Sequence, residues 1–342
     1  MQLLEGITIG HYHIQRRLAK GGMSVVYLAQ DTRTQQMVAI KMVHRSAGEY
    51  CERFRRETHV VARLKHPHIL PALDYGEYES WYYLVTPYIA YGTLHDRLAR
   101  GSLSQEEAGE ILAQLADALQ CAHEHGMVHR DIKASNVLLH EGKYVYLADF
   151  GLVKSAGAAH SLTQSGYLIG TPEYMAPELV DTPPTVASDV YALGVLLYQM
   201  LTGRLPFRGD TPVVTVWQHI KNKPEAPSSL NPAISQAVEQ VILCAMAKKP
   251  QERFPTTQDM AHAYQRALNP QACAITGSTS SSVEVPPAVI RVVPVSSIAL
   301  PPVRSPRMWV RLLAVLLLTT LLLAALVSAL FYLVQVLSSH GG

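Results

Sequence analysis

Two short segments hold most of the sequence's capacity for chemistry. The first is His129-Arg130-Asp131-Ile132-Lys133-Ala134-Ser135-Asn136, and the second, after an apolar run that reads as a strand, is Asp149-Phe150-Gly151. Asp131 and Asp149 offer carboxylates and Asn136 a carboxamide oxygen, hard ligands of the kind that suit Mg²⁺. Asp131 also offers a base, and Lys133 a counter-charge. Further upstream, Val38-Ala39-Ile40-Lys41 ends an apolar strand on a lysine, and a helical pattern beginning at Phe54-Arg55-Arg56-Glu57 carries a carboxylate. Glu57 could pair with Lys41 and hold it for an anionic ligand; by themselves the two could equally be surface charges. Leu18-Ala19-Lys20-Gly21-Gly22-Met23-Ser24-Val25-Val26 is a small-residue turn between strand-like runs. Its backbone amides could close over phosphate oxygens, although an ordinary glycine hairpin would look the same.

These residues need elements to position them. Val25 to Leu28, Met37 to Ile40 and Trp81 to Val85 mix β-branched, aromatic and polar residues between turn signals and read as strands. Beyond them, the stretches from Glu106 to His123 and from Val190 to Thr202 have helical periodicity. A strand-rich lobe followed by a helical lobe implies an α+β, bilobal fold with a cleft between the lobes.

Taken together, these motifs resemble those of the protein kinases of eukaryotic type, and in particular the membrane-anchored serine/threonine kinases of bacteria. The likeness covers residues 11–268. It rests on the VAIK string at Lys41, HRDIKxSN around Asp131, DFG at Asp149 and Gly170-Thr171-Pro172-Glu173-Tyr174-Met175-Ala176-Pro177-Glu178. Ser188-Asp189-Val190-Tyr191-Ala192-Leu193-Gly194 and Arg253 add to it. The resemblance implies an ATP- and Mg²⁺-dependent enzyme that transfers the γ-phosphoryl group to Ser or Thr of protein substrates. Lys41 would hold the α- and β-phosphates, with Glu57 pairing with Lys41. Asn136 and Asp149 would hold the metal, Asp131 would accept the hydroxyl proton, and Lys133 would lie near the γ-phosphate. Leu18, Ala19, Gly21, Gly22, Ser24, Val26, Ala39, Ile89 and Leu138 would complete the nucleotide site. Thr86 matches the gatekeeper, and Pro87-Tyr88-Ile89 the hinge, with the Ile89 N–H as donor to adenine.

The same resemblance makes Arg130 the partner of a phosphate on the segment 152–173, with Thr163 and Ser165 as the expected autophosphorylation sites and Thr171 in contact with Asp131 and Lys133. Asp189 should accept backbone hydrogen bonds from the catalytic loop, Glu178 and Arg253 should form a buried ion pair, and His129 and Phe150 should pack together. His66-Pro67-His68 matches a family turn. The sequence departs from the three-glycine phosphate loop at Ala19 and Ser24. A nucleotide-holding scaffold without turnover is therefore a competing reading; a small-molecule phosphotransferase is disfavoured by the Gly170 to Glu178 string.

Residues 312–337 are almost wholly apolar, broken only by the uncharged Thr319, Thr320, Ser328 and Gln335. At 1.5 Å rise per residue such a run can span a bilayer. Arg304, Arg307 and Arg311 precede it and only residues 338–342 follow, so the positive-inside tendency places the N-terminal side in the cytoplasm. The expected organisation is a catalytic domain at 11–268, a Pro/Ser-rich linker at 269–308, a transmembrane helix at 309–337 and a short outer tail without a sensor domain. A cell-membrane location, lipid contact through one helix and a homodimer through the small residues Ala324, Ala325, Ser328 and Ala329 are expected with it. No cleaved signal peptide is expected at the N-terminus.

The formal net charge is +2, and the tail from residue 270 carries a surplus of three positive charges, which leaves the first 269 residues at −1. A near-neutral domain is not the basic surface that general nucleic-acid binding requires, so no nucleic-acid partner is expected. Cys51, Cys121, Cys244 and Cys273 are scattered without a CxxC pair, as suits reduced thiols rather than a disulfide framework or a zinc site.

Overall fold

The computed structural model describes residues 4–141, 143–150 and 171–269. Thr163, Ser165, nearly all of the linker and the proposed transmembrane run lie outside them. Among the described residues no helix is long and apolar enough to cross a membrane.

The N-terminal lobe is a six-stranded antiparallel sheet ordered β1-β2-β3-β4-β6-β5. Its strands are β1 (Thr8–Ile9), β2 (Tyr12–Lys20), β3 (Ser24–Asp31), β4 (Met37–His44), β5 (Asp74–Tyr78) and β6 (Trp81–Pro87). Alternation along β4 fixes its faces: Val38, Ile40 and Met42 are buried in the lobe's core, with Ile14, Val25 and Tyr27. Ala39 and Lys41 take the opposite, half-exposed face.

Helix α1 (Glu49–Val61) begins well before Phe54, where the sequence pattern suggested. Gly48, at φ 57°, closes a short 3₁₀ turn and starts it, a backbone conformation that glycine adopts without strain. Cys51, Phe54, Thr58 and Val61 form the buried stripe of α1 and leave Glu57 beside it, half-buried.

The second lobe is helical: α2 (Leu94–Leu98), α3 (Gln105–Glu124), α4 (Val186–Thr202), α5 (Pro212–Lys221), α6 (Pro227–Leu230), α7 (Gln236–Ala245) and α8 (Thr257–Leu268). A hairpin of β7 (Val137–Leu139) and β8 (Val145–Leu147) carries the segment 129–136 on one side and Asp149 on the other. Helix α4 is the lobe's axis: every residue from Ser188 to Leu201 is buried, as expected for a helix apolar all round. It starts at a Thr185–Ser188 capping box and stops at Gly203, φ 72°. Gly194 lets α7 approach closely, since a Cβ there would lie 2.8 Å from Ala245 Cβ.

Candidate active site

Strand register builds the roof of the site. Lys41 pairs with Val26 on one side and Leu84 on the other, and Ala39 with Leu28 and Thr86. Leu18, Val26, Ala39 and Thr86 are all half-buried, as are Ile89 after β6 and Leu138 on β7. The main chain after the hinge reaches β7 through Leu139 N–H donating to Gly92 O at 2.9 Å. Ala19 pairs with Val26, and the turn is closed by Gly21 N–H donating to Ser24 O at 2.8 Å. Neither Gly21 nor Gly22 has positive φ; a Cβ on Gly22 would meet nothing within 4 Å, and one on Gly21 would meet Ser24 at 3.4 Å.

Below the roof, Asp131 is held from three directions. Lys133 Nζ lies 2.8 Å from Asp131 Oδ2, Asn136 Nδ2 donates to the same oxygen at 3.2 Å, and the Thr171 hydroxyl donates to Oδ1 at 3.3 Å. Lys133 also donates to Thr171 Oγ1 at 2.9 Å. Asn136 thus spends its amino group on Asp131, with a further bond to the Asp131 carbonyl at 2.8 Å, and keeps its carboxamide oxygen for another ligand. Ala148 N–H donates to Asn136 O at 2.9 Å, which brings Asp149 alongside.

The loop beneath has its own frame. Asp189 accepts from His129 N–H at 2.8 Å and from Arg130 N–H at 3.0 Å. His129, fully buried, donates through Nε2 to Ala148 O at 3.2 Å and accepts from Asp131 N–H at Nδ1, 3.2 Å. Burial lowers its pKa, with Asp189 and Asp131 opposing, and that bonding pattern requires the neutral ring. Its ring packs 4.6 Å from Phe150. Arg130 and Asp149 have φ of 69° and 56°, left-handed values that cost a non-glycine residue about 1–2 kcal/mol each. Such strain persists where neighbours over-determine it: the Asp189 carboxylate fixes Arg130, and Lys41 grips Asp149.

One expectation is corrected. Glu57 does not pair with Lys41. Lys41 Nζ lies 2.7 Å from Asp149 Oδ1, and Glu57 Oε1 instead accepts from Arg130 Nη1 at 3.3 Å. The cause is the seat of α1: its buried stripe packs it on β4 and β6 so that Glu57 faces the catalytic loop. Glu57, Val60, Val61, Arg130 and Phe150 border a cavity of about 280 Å³ there. Burial raises the Glu57 pKa to about 6, against the lowering effect of Arg130 and then Arg53. Burial disfavours the Lys41 charge, but Asp149 outweighs it and the pKa rises.

Beside the Asp189 bonds and the His129–Phe150 packing, two further structural expectations from the sequence are visible in the geometry. Arg253, with a side chain 0% exposed, makes a two-pronged pair with Glu178 at 2.8 and 2.7 Å. Thr171 sits between Asp131 and Lys133, as described. Sequence reasoning missed His123, whose Nε2 lies 2.7 Å from Asp189 Oδ2, and the contact of Tyr174 Oη with Gln199 Oε1 at 2.5 Å. His123 falls in the helical stretch before the catalytic loop, and no spacing rule marks it. Among the described residues no cluster of three or more His, Cys, Asp or Glu could hold a metal. The donor set Asn136 and Asp149 still fits Mg²⁺, which keeps several waters and needs only one or two protein carboxylates or carbonyls. The lysine ammonium on Asp149 shows that this carboxylate already faces a cation.

The protein kinase domain family matches residues 12–265. The chain is 37% identical over 269 residues to the serine/threonine-protein kinase PknH of Mycobacterium bovis, across 77% of this chain and 45% of that protein. It is 37% identical over 256 residues to the serine/threonine-protein kinase PrkC of Bacillus subtilis, across 73% of this chain and 39% of that one. The chain therefore spans less than half the length of these curated relatives. The crystal structure of the Mycobacterium tuberculosis PknI kinase domain is similar, with a TM-score of 0.62 and 28% identity over 78% of this chain and 100% of that one. Rad53 in complex with AMP-PNP is similar too, with a TM-score of 0.65 and 25% identity over 74% of this chain and 64% of that one.

Proposed function

Since the chain belongs to the protein kinase domain family, we propose that it transfers the γ-phosphoryl group of ATP to Ser or Thr hydroxyls of proteins, its own residues Thr163 and Ser165 included. The observation that carries this reading is the Asp131 carboxylate, held by Lys133, Asn136 and Thr171 close under a lysine-bearing strand. A hydroxyl that takes the place of Thr171 Oγ1 is within reach of Asp131 as proton acceptor and Lys133 as positive charge. Phosphoryl transfer asks the protein mainly for positioning and charge neutralisation. Asp131 orients the acceptor and takes its proton, Lys133 balances charge on the transferred group, and Lys41 holds the phosphates. Asn136 and Asp149 would hold Mg²⁺, which when bound neutralises the phosphate oxygens. Rad53 was solved with an ATP analogue, which supports nucleotide as the ligand of this fold.

The observed arrangement is a resting one. Lys41 is tied to Asp149 and Glu57 to Arg130; turnover requires Lys41 to exchange Asp149 for phosphate, with Glu57 moving toward it. A phosphate on the segment 152–173 would compete with Glu57 for Arg130 and so favour that exchange. We further propose that residues 309–337 tether the domain to the cell membrane from the cytoplasmic side. Deleting 309–342 should release the protein from membranes, and pelleting of the truncated chain after a salt wash would refute the tether.

The activity is tested by incubating the full chain with labelled ATP and Mg²⁺ beside Asp131→Asn and mapping phosphosites by mass spectrometry. Label on Thr163 or Ser165 in the wild type alone supports the reading. No label on the chain or on a general protein substrate, with nucleotide still bound, would leave a scaffold in its place.

A further inference from the structure

Thr171 stands where a phosphoryl acceptor would stand. Its hydroxyl donates to Asp131 Oδ1 at 3.3 Å, and its oxygen accepts from Lys133 Nζ at 2.9 Å. Lys133 and Asn136 meet the other carboxylate oxygen, Oδ2, at 2.8 and 3.2 Å, so Asp131 turns Oδ1 toward Thr171. An alcohol oxygen has two lone pairs. Lys133 engages one, and the second is left to form a bond. Thr171 is half-buried, so its side chain can be reached from the cleft side.

The hydroxyl is not what holds the main chain there. Tyr174, buried, bonds through its phenol to Gln199, and the Glu173 carbonyl accepts from His219 Nε2 at 3.0 Å. Pro172 opens the 3₁₀ turn that follows Thr171. These anchors lie within three residues of Thr171 and fix its backbone without its side chain. A hydroxyl held at a base in this way reacts as an intramolecular group, its orientation already set.

We infer, on the kinase activity proposed above, that Thr171 is phosphorylated by its own chain and that its phosphate closes the site to protein substrates. In this step Thr171 Oγ1 forms a bond to the γ-phosphorus of ATP, while the bond from that phosphorus to the β,γ-bridging oxygen breaks. The electron pair of the broken bond leaves with ADP, and the hydroxyl proton passes to Asp131. The product bears a charge of about −1.5 to −2 beside the Asp131 carboxylate, with Lys133 as its counter-ion. It fills the place that another hydroxyl must take, so a modified chain stops transferring phosphoryl groups to other proteins. A phosphate on Thr163 or Ser165, directed at Arg130, has the opposite effect.

The test incubates the full chain with ATP and Mg²⁺. It follows phosphate at Thr171 by peptide mapping, transfer to a general protein substrate, and binding of a serine-containing acceptor peptide by calorimetry. The initial rate of Thr171 labelling per chain should stay constant across about a hundredfold dilution, as an intramolecular step requires. Asp131→Asn incubated with wild type should remain unmodified at Thr171. Transfer to the substrate should fall about a hundredfold once Thr171 is fully modified, the scale of a positioned base, and peptide binding should be lost with it. Thr171→Ser keeps the hydroxyl and should be labelled at residue 171 and shut down in the same way. Transfer to the general substrate with Thr171 unmodified overturns the inference and leaves the kinase reading standing, whereas no transfer to any acceptor, with nucleotide bound, overturns both. A labelling rate that falls with dilution, modification of Thr171 in the mixed Asp131→Asn chain, or undiminished transfer or peptide binding at full modification overturns it as well.

Discussion

Glu57 accepts its hydrogen bond from Arg130, at 3.3 Å, and not from Lys41. Arg130 belongs to the motif around Asp131 and Glu57 took its expected role from the resemblance, yet their partners are decided by how α1 is seated on β4 and β6. The lysine and the glutamate are each paired with another member of the same site: Lys41 with Asp149, which follows β8, and Glu57 with Arg130, next to the catalytic Asp131 candidate. A competitor for Arg130 or for Asp149 would break one of these two pairs.

The first prediction concerns that glutamate. Its carboxyl titrates at about 6 in the folded protein, raised from 4.5 by burial. A raised folded-state pKa means that protonation favours the fold. The contribution is complete below about pH 4.5 and is lost as pH rises through about 6, on the order of 1–2 kcal/mol in all. Glu57→Gln is expected to remove this loss, so its stability relative to wild type should improve between pH 5 and pH 7. Urea denaturation at a series of pH values measures it, and parallel curves for the two proteins would contradict it.

Arg253 gives the second. Its buried guanidinium spends donors on Glu178, Ala187 O, Ala247 O and Lys248 O, and its plane lies 4.7 Å over Tyr191. Removing it leaves the Glu178 carboxylate, its side chain 12% exposed, without its cation. Arg253→Ala should cost about 3–5 kcal/mol of stability, and Arg253→Lys should recover little of it, because an ammonium cannot reproduce the two-pronged geometry. Chemical denaturation of the three proteins reads the difference directly.

Much of this was legible in the residues. The HRD and DFG strings lie on either side of a short β7–β8 hairpin, so sequence spacing translates into proximity, and Asp131, Asn136 and Asp149 come together as their order implies. The alternation of β4 placed Lys41 and Ala39 on one face for the same reason. What was not legible depends on rotations and depths that no spacing encodes. The Glu57–Arg130 pair, the His123–Asp189 contact and the start of α1 at Glu49 are of this kind. The unpartnered Thr58 hydroxyl is another: a threonine within an amphipathic stripe reads as a neutral filler until its surroundings are known.

A third prediction rests on the proposed activity. Asp131→Asn keeps the shape that Lys133, Asn136 and Thr171 hold, but an amide neither accepts the acceptor's proton nor balances Lys133. Phosphoryl transfer should fall by about 10²–10⁴, with nucleotide affinity within about threefold of wild type, since Asp131 does not line the roof where base and phosphates would sit. Equal turnover by the two proteins would remove Asp131 from the mechanism. Loss of nucleotide binding would show that the variant had disturbed the cleft instead.

The last prediction concerns His219, the buried residue through which α5 holds the segment around Glu173. Its Nε2 donates to Glu173 O at 3.0 Å and its Nδ1 faces the Tyr191 hydroxyl at 2.8 Å. Burial, then the nearby Lys248, pushes its pKa down to about 4, with the Glu173 carbonyl opposing. A depressed folded-state pKa on a base stabilises the fold above the unfolded value near 6.5, and this stability is lost as pH falls through 6.5 toward 4. The full contribution is up to about 3 kcal/mol. It runs opposite to the Glu57 effect between pH 4.5 and 6, which is why the two need separate variants. His219→Gln can still donate to Glu173 and accept from Tyr191. It should be less stable than wild type at pH 7.5 but should lose less on acidification to pH 5. His129 is lowered in the same direction, so the acid slope should be reduced and not abolished. Melting temperatures across that range decide the matter: an undiminished slope in His219→Gln would mean that protonation of this ring is not what the fold resists.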